Sequence, residues 1–146
     1  YASVYANRRR QFGQSIGNFQ MIQGMLADMS SQVQAARYLV YAAAKNIDDD
    51  APNVSRLAAE AKLFATDTAM KVTTDAVQIF GGYGFMKDYP VEKYMRDAKI
   101  TQIYEGTNQV QRMVTSRWVL KAARDLDYLN AFIPDETQKG VDPSEV

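Results

Sequence analysis

Two long stretches with apolar residues at helical spacing, separated by one polar break, constrain this chain most. Across residues 19–47, Ile22, Leu26, Met29, Val33, Ala36 and Val40 recur at steps of three and four, the spacing that gathers side chains on one face of an α-helix. Across residues 55–80, Leu57, Ala61, Phe64, Thr68, Val72, Ala76 and Ile79 do the same. Between the two stretches, Asp48-Asp49-Asp50-Ala51-Pro52-Asn53 breaks the period with carboxylates and a proline, which predicts an exposed loop. At about 1.5 Å per residue the second helix would be nearly 40 Å long. Two such helices on a short connection bury their apolar faces by packing antiparallel. Alternating β-branched runs are lacking. The expected fold is therefore all-α, an up-down four-helix-bundle-like domain with an additional short helix.

The flanking segments fit that frame. Residues 1–6 read as helix interior without a start signal, and Phe12-Gly13 is the expected end of this first helix. Tyr89-Pro90-Val91-Glu92 opens a shorter helix with proline near its first turn. Arg96 and Asp97 on that helix read as a structural polar network. A last helix starts near Thr107 and carries Val110, Met113, Val114, Arg117, Trp118 and Lys121 on a mixed face, with Trp118 as its anchor. After Arg124 the periodicity fades. The expected organisation is a helical domain over 1–124 and a surface tail over 125–146.

Composition narrows the chemistry. The 146 residues include no Cys and no His, which removes thiol and imidazole catalysis and most zinc, haem and iron–sulfur sites. Lys plus Arg equals Asp plus Glu at 17 each, so no net field favours nucleic acid or an anionic membrane. No apolar run is long enough to span a bilayer. Asp48, Asp49 and Asp50 lack the remaining ligands of a calcium loop and read as a solvated turn. Carboxylates, hydroxyls, amides, Tyr, Lys and Arg, or a borrowed cofactor, must carry any reaction.

Three segments could do so. Tyr104-Glu105-Gly106-Thr107 sets a carboxylate beside a glycine turn, just ahead of a helix whose N-cap is Thr107. Glu105 there is either a helix-start charge or a general base on a reaching loop. Arg8, Arg9 and Arg10 suit a solvated helix C-terminus. Gly81-Gly82-Tyr83-Gly84 follows a helix and lacks the Gly-Lys-Ser/Thr ending, so it is no P-loop. It reads as a helix stop that also permits close backbone approach to a ligand.

Taken together, these segments resemble the acyl-CoA dehydrogenases. The likeness is carried, in order, by Arg9-Arg10-Gln11-Phe12-Gly13-Gln14, Ile16-Gly17-Asn18-Phe19-Gln20 and Asp75-Ala76-Val77-Gln78-Ile79-Phe80-Gly81-Gly82-Tyr83-Gly84-Phe85. It continues through Tyr89-Pro90-Val91-Glu92-Lys93, Met95-Arg96-Asp97-Ala98-Lys99 and Ile103-Tyr104-Glu105-Gly106-Thr107-Asn108-Gln109. It covers roughly residues 1 to 120 and corresponds to the C-terminal helical domain of the short- and medium-chain type, with its first helix truncated at the start.

The resemblance implies α,β-dehydrogenation of an acyl-CoA to the trans-2-enoyl-CoA with FAD as cofactor. Glu105 is then the base for the α proton, and Tyr104 and Gly106 meet the substrate. FAD contacts fall on Arg9, Gln11, Phe12, Gln20, Gln78, Ile79, Phe80, Gly81, Gly82, Thr107, Asn108 and Gln109, with no metal. It further implies a homo-oligomer, dimer or tetramer, whose flavin sites are shared between subunits. Electron-transfer flavoprotein is the implied electron acceptor, and the bacterial cytoplasm or the mitochondrial matrix the implied location. Two alternatives stay open: an acyl-CoA oxidase or other flavin enzyme of the superfamily, and a non-catalytic helical assembly module.

Overall fold

The computed structural model describes residues 1–124; the expected tail over 125–146 lies outside the described residues. Among the described residues, five helices run in the order α1 (Ala2–Arg8), α2 (Gln20–Asp48), α3 (Val54–Phe80), α4 (Val91–Thr101) and α5 (Asn108–Arg124). Chain contacts divide the molecule into two units, Tyr1–Thr115 and Ser116–Val146. In the first unit α3 is the hub: it packs against α1, α2 and α4. The fold is all-α as the periodicity requires, with one small exception.

That exception corrects the expected end of the first helix. α1 stops at Arg8, and Arg10–Gln11 (β1) pairs antiparallel with Gln14–Ser15 (β2). Phe12 and Gly13 form the turn, with φ 51° and 81°. Two successive positive φ values are the signature of a two-residue hairpin turn whose twist matches its strands. Gly13 thus turns a hairpin and does not stop a helix. Ser15 fastens the hairpin to α1, its hydroxyl donating to the Ala6 carbonyl at 2.6 Å.

α2 and α3 are joined by residues 49–53 and lie along each other. On α2 the inward positions include Ile22, Leu26, Met29 and Ala36 as expected, but Val33 and Val40 are exposed and Leu39 and Ala43 take their places. Both sets continue the same steps of three and four, and a ladder of apolar residues cannot say which edge of the stripe meets the neighbour. On α3 Ala61, Thr68 and Ile79 are buried, while Phe64 is exposed. Burial spreads round α3 because neighbours flank it on more than one side.

The core lies where α1, the start of α2 and the end of α3 meet. Ala2, Ala6, Ile16 and Ile79 form it, with Tyr5, Phe19, Ile22, Met25, Leu26, Met29 and Ala76 packed around them. Alanines let the helix axes approach, and the aromatic ring of Tyr5 fills the edge. This core is the floor of the cleft described next. On the surface of α4, Arg96 pairs with Glu92 at 2.8 Å and Lys93 with Asp97. Arg96 and Asp97 thus sit in two separate one-turn ion pairs rather than one shared network. In the second unit, the Lys121 ammonium lies 5.6 Å from the centre of the Trp118 ring.

Candidate active site: an arginine–glycine cleft and a stapled glutamate loop

The end of α1 and the end of α3 enclose a cleft of about 520 Å³. Arg9, Gln11 and Ile16 line one side; Ile79, Phe80, Gly81 and Gly82 line the other, with Tyr5, Tyr83 and Met86 completing it. Arg9 is held at both backbone ends: its N–H donates to the Tyr5 carbonyl at 2.8 Å and its carbonyl accepts from the Ile16 N–H at 2.9 Å. Its guanidinium lies 5.1 Å from the centre of the Tyr83 ring, a cation–π contact that orients the charge without neutralising it. No carboxylate pairs with Arg9 among the described residues. Arg10 differs: its guanidinium donates to the Gly13 carbonyl at 3.0 Å, inside the hairpin.

Opposite Arg9, α3 ends at Gly81, with φ 61° and ψ −139°. This region is essentially closed to any residue with a Cβ. A Cβ built at Gly81 or Gly82 would meet nothing within 4 Å, so the two glycines leave bare backbone facing open space. A guanidinium across from exposed backbone suits a phosphate or pyrophosphate. The floor is aromatic: Tyr5 stacks on Phe80 at 4.0 Å between centres, and Tyr89 meets Tyr5, Phe80 and Tyr83 edge-on. Burial pushes the Tyr5 phenol above its ordinary value, opposed by the nearby Arg9 charge.

Behind the cleft, Gly84 is buried against the last turn of α3. A Cβ there would stand 2.4 Å from the Val77 carbonyl oxygen and 2.9 Å from the Phe80 Cβ. Close packing requires this glycine.

The glutamate sits elsewhere, on residues 103–107 between α4 and α5. Glu105 and Gly106 have φ 52° and 81°. A left-handed glutamate is uncommon, and such outliers persist where the surroundings hold them, often at functional positions. The carboxylate is exposed. The loop's neck is closed by the Asn108 N–H donating to the Gln102 carbonyl at 3.0 Å. Asp67 on α3 staples both sides of that neck: one oxygen accepts from the Gln102 and Asn108 side-chain amides, each at 2.7 Å. The other accepts from Arg112 at 2.7 Å. Burial alone would raise the Asp67 carboxyl. Hydrogen bonds from Asn108, Gln102 and Arg112, with the Arg112 charge, outweigh it and hold the carboxyl below its usual range. Thr107 caps α5, its hydroxyl accepting from the Val110 N–H at 3.3 Å.

The structure therefore divides the expected site residues. Arg9, Gln11, Ile79, Phe80, Gly81 and Gly82 share one cleft. Tyr104, Glu105, Gly106, Thr107 and Gln109 share the loop and helix start, and none of them lines the cleft. Phe12 projects from the hairpin at 91 % exposure. Gln20 and Gln78 are exposed on the first turn of α2 and the last turn of α3. Asn108 departs from the expectation of a cofactor contact: it is 3 % exposed. Its carbonyl oxygen accepts from Lys62 at 2.7 Å and its amide donates to Thr66 and Asp67. With those bonds made, its side chain holds the loop in place.

Sequence reading misses Tyr83 as the support of Arg9, and Asp67 as the staple. Tyr83 was within reach, since it lies inside the glycine motif; the pairing of Asp67 with residues some forty positions on leaves no local signal.

The chain belongs to the acyl-CoA dehydrogenase family: residues 2–120 match the model of the "Acyl-CoA dehydrogenase, C-terminal domain". It is 59 % identical over 120 residues to a probable acyl-CoA dehydrogenase, fadE25, of Mycobacterium leprae, a match that covers 82 % of this chain and 31 % of the relative. Butyryl-CoA dehydrogenase from Megasphaera elsdenii is 55 % identical with a TM-score of 0.79, again over 82 % of this chain and 31 % of that one. A chain in the solved structure of the electron transferring flavoprotein of Acidaminococcus fermentans is 61 % identical with a TM-score of 0.79, over the same shares. The chain thus spans about a third of the length of the relatives it matches.

Proposed function

We propose that this chain is the C-terminal helical part of an FAD-dependent acyl-CoA dehydrogenase, with Glu105 as the base that takes the α proton of an acyl-CoA thioester. The observation that carries the reading is the cleft. It gathers Arg9 and residues 79–82, far apart in sequence, into one arginine-and-bare-backbone cradle. The residues fit a dinucleotide: Arg9 would hold its phosphates and Gly81 and Gly82 would admit them against the backbone. FAD, when bound, supplies the acceptor for the hydride that leaves the β carbon.

The chain's own part is positioning and proton removal. Glu105 presents a free carboxylate at the tip of a stapled loop, and Gly106 exposes backbone beside it for the thioester. The α C–H bond breaks toward Glu105 and its electron pair becomes the new C=C bond. The hydride leaves the β carbon, so one proton and one hydride depart and the enoyl thioester remains. Among the described residues no helix is long and apolar enough to cross a membrane. Large exposed apolar side chains such as Met21, Tyr38, Tyr41 and Phe85 suit burial against other domains and other copies. The assembly we infer is a dimer or tetramer with shared flavin sites that passes electrons to an electron-transfer flavoprotein. The compartment is the bacterial cytoplasm or the mitochondrial matrix.

The decisive experiment is Glu105→Gln in a full-length dehydrogenase carrying this domain. Gln keeps the shape but cannot accept the α proton. Stopped-flow reduction of bound flavin by acyl-CoA should slow by about 10²–10⁴-fold or more, with flavin content and binding of a product analogue retained. Reduction within a few-fold of normal would remove Glu105 from the role. Loss of flavin would return it to a helix-start charge.

A further inference from the structure

Gln111 lies one turn inside α5 and serves no cofactor or substrate contact in the reading above. Its side-chain amide folds back over the loop and donates to two successive carbonyls, those of Glu105 at 3.2 Å and Gly106 at 3.1 Å. Within the loop these are the two residues with left-handed backbone. A Cβ at Gly106 would stand 2.7 Å from the same Gln111 nitrogen, so the glycine and the glutamine are matched: one leaves the space the other occupies. The Gln111 N–H also donates to the Thr107 carbonyl at 3.0 Å, which fixes the amide's own origin on the helix.

We infer that Gln111 is a positioning residue for the base: its amide locks the Glu105–Gly106 backbone and thereby sets the direction of the Glu105 carboxylate. The inference rests on Glu105 being the base. Ile103 and Tyr104 are tied back to the Ile100 carbonyl at 2.9 and 3.0 Å, so the stretch beyond them that the staple does not touch is Glu105 and Gly106. A peptide plane that turns there swings the carboxylate away, and only Gln111 grips the two carbonyls at the tip among the described residues. Proton abstraction depends steeply on alignment, with a misplacement of about 1 Å costing on the order of 10²-fold.

The test uses a full-length dehydrogenase carrying this domain, with Gln111→Met and Gln111→Glu beside Glu105→Gln. Both Gln111 variants keep the side chain's length and delete its donors. Expected is flavin reduction slowed 10- to 100-fold, with the product-analogue Kd within about threefold, flavin content unchanged and melting temperature lowered by no more than about 5 °C. A merely structural residue would move the last two beyond those limits and leave the rate on properly loaded enzyme alone. If Gln111→Met loses flavin or fold, Gln111→Glu decides. Normal reduction in the folded variants, or equal losses of rate and binding, overturns the inference while a blocked Glu105→Gln enzyme keeps the base assignment. Rapid reduction by Glu105→Gln overturns the base assignment itself, whatever the Gln111 variants do.

Discussion

Replacing Asp67 with alanine isolates the staple that joins α3 to the glutamate loop. Three donors lose an acceptor. The Asn108 amide, 3 % exposed, keeps Thr66 at 2.8 Å but loses one of its two bonds in a place water does not reach, at about 1–2 kcal/mol. Half-buried Gln102 loses about 1 kcal/mol. Arg112 can turn to solvent, and its pair with Asp67, with side chains 54 % and 38 % exposed, contributes at most about 1 kcal/mol. The sum is roughly 3 kcal/mol, a large share of a typical 5–15, and predicts a fall in melting temperature of about 10 °C. Urea unfolding followed by circular dichroism should show a lower midpoint at unchanged slope. Asp67→Asn keeps an oxygen for Gln102 and Asn108 and should cost about a third as much. The sign with pH follows from the lowered carboxyl of Asp67. Its stabilisation is complete above the unfolded value of about 3.9 and is lost as pH falls through the lower folded value. The wild-type chain should therefore lose more stability than Asp67→Asn as pH falls below about 4. A cost below about 0.5 kcal/mol for Asp67→Ala, the scatter of ordinary surface changes, would refute the staple.

Arg9→Ala in a full-length dehydrogenase carrying this domain should weaken flavin retention by about one to two decades, whereas Arg10→Ala, whose guanidinium is engaged with Gly13, should leave it near normal; equilibrium dialysis of FAD separates the two. Gly84→Ala places a methyl 2.4 Å from the Val77 carbonyl oxygen and should destabilise the chain by about 1–3 kcal/mol in the same urea experiment, against a negligible effect for alanine at the open Gly24 beyond its favourable helix propensity.

The helices were legible because their cause is local. Periodicity at steps of three and four marked α2 and α3 to within a residue or two, and Asp48 to Asn53 marked their junction. Thr107 as cap and Gly106 as turn followed from side-chain chemistry within four residues. The end of α1 was not legible: a helix stop and a two-residue hairpin turn both call for Gly13, and only the pairing of Arg10 with Ser15 distinguishes them. Asn108 illustrates the other failure. Its place inside the loop motif suggests a ligand contact, yet Lys62, Thr66 and Asp67, a helix away, claim its polar atoms. Polar networks between distant segments have no period and no spacing to read.

The staple and the cleft hang on the same helix, and their separation bears on how sites are built. Asp67 and Gly81 stand roughly four turns apart on α3, about 20 Å along its axis. The Arg9 cleft lies at the Gly81 end of that helix, and the neck of the Glu105 loop is stapled at Asp67. In the assembly proposed above, with flavin sites shared between copies, one copy lends Arg9 and another Glu105. Mixed oligomers then have a signature. Neither Arg9→Ala nor Glu105→Gln subunits alone would turn over at limiting FAD. In a hybrid, an Arg9→Ala copy contributes Glu105 while its Glu105→Gln neighbour contributes Arg9, which rebuilds one whole site and leaves the other doubly defective. Activity measured on hybrids isolated by differential tags should reappear at up to half the wild-type value per site. Hybrids as inactive as their parents would place cleft and base on one chain's own flavin.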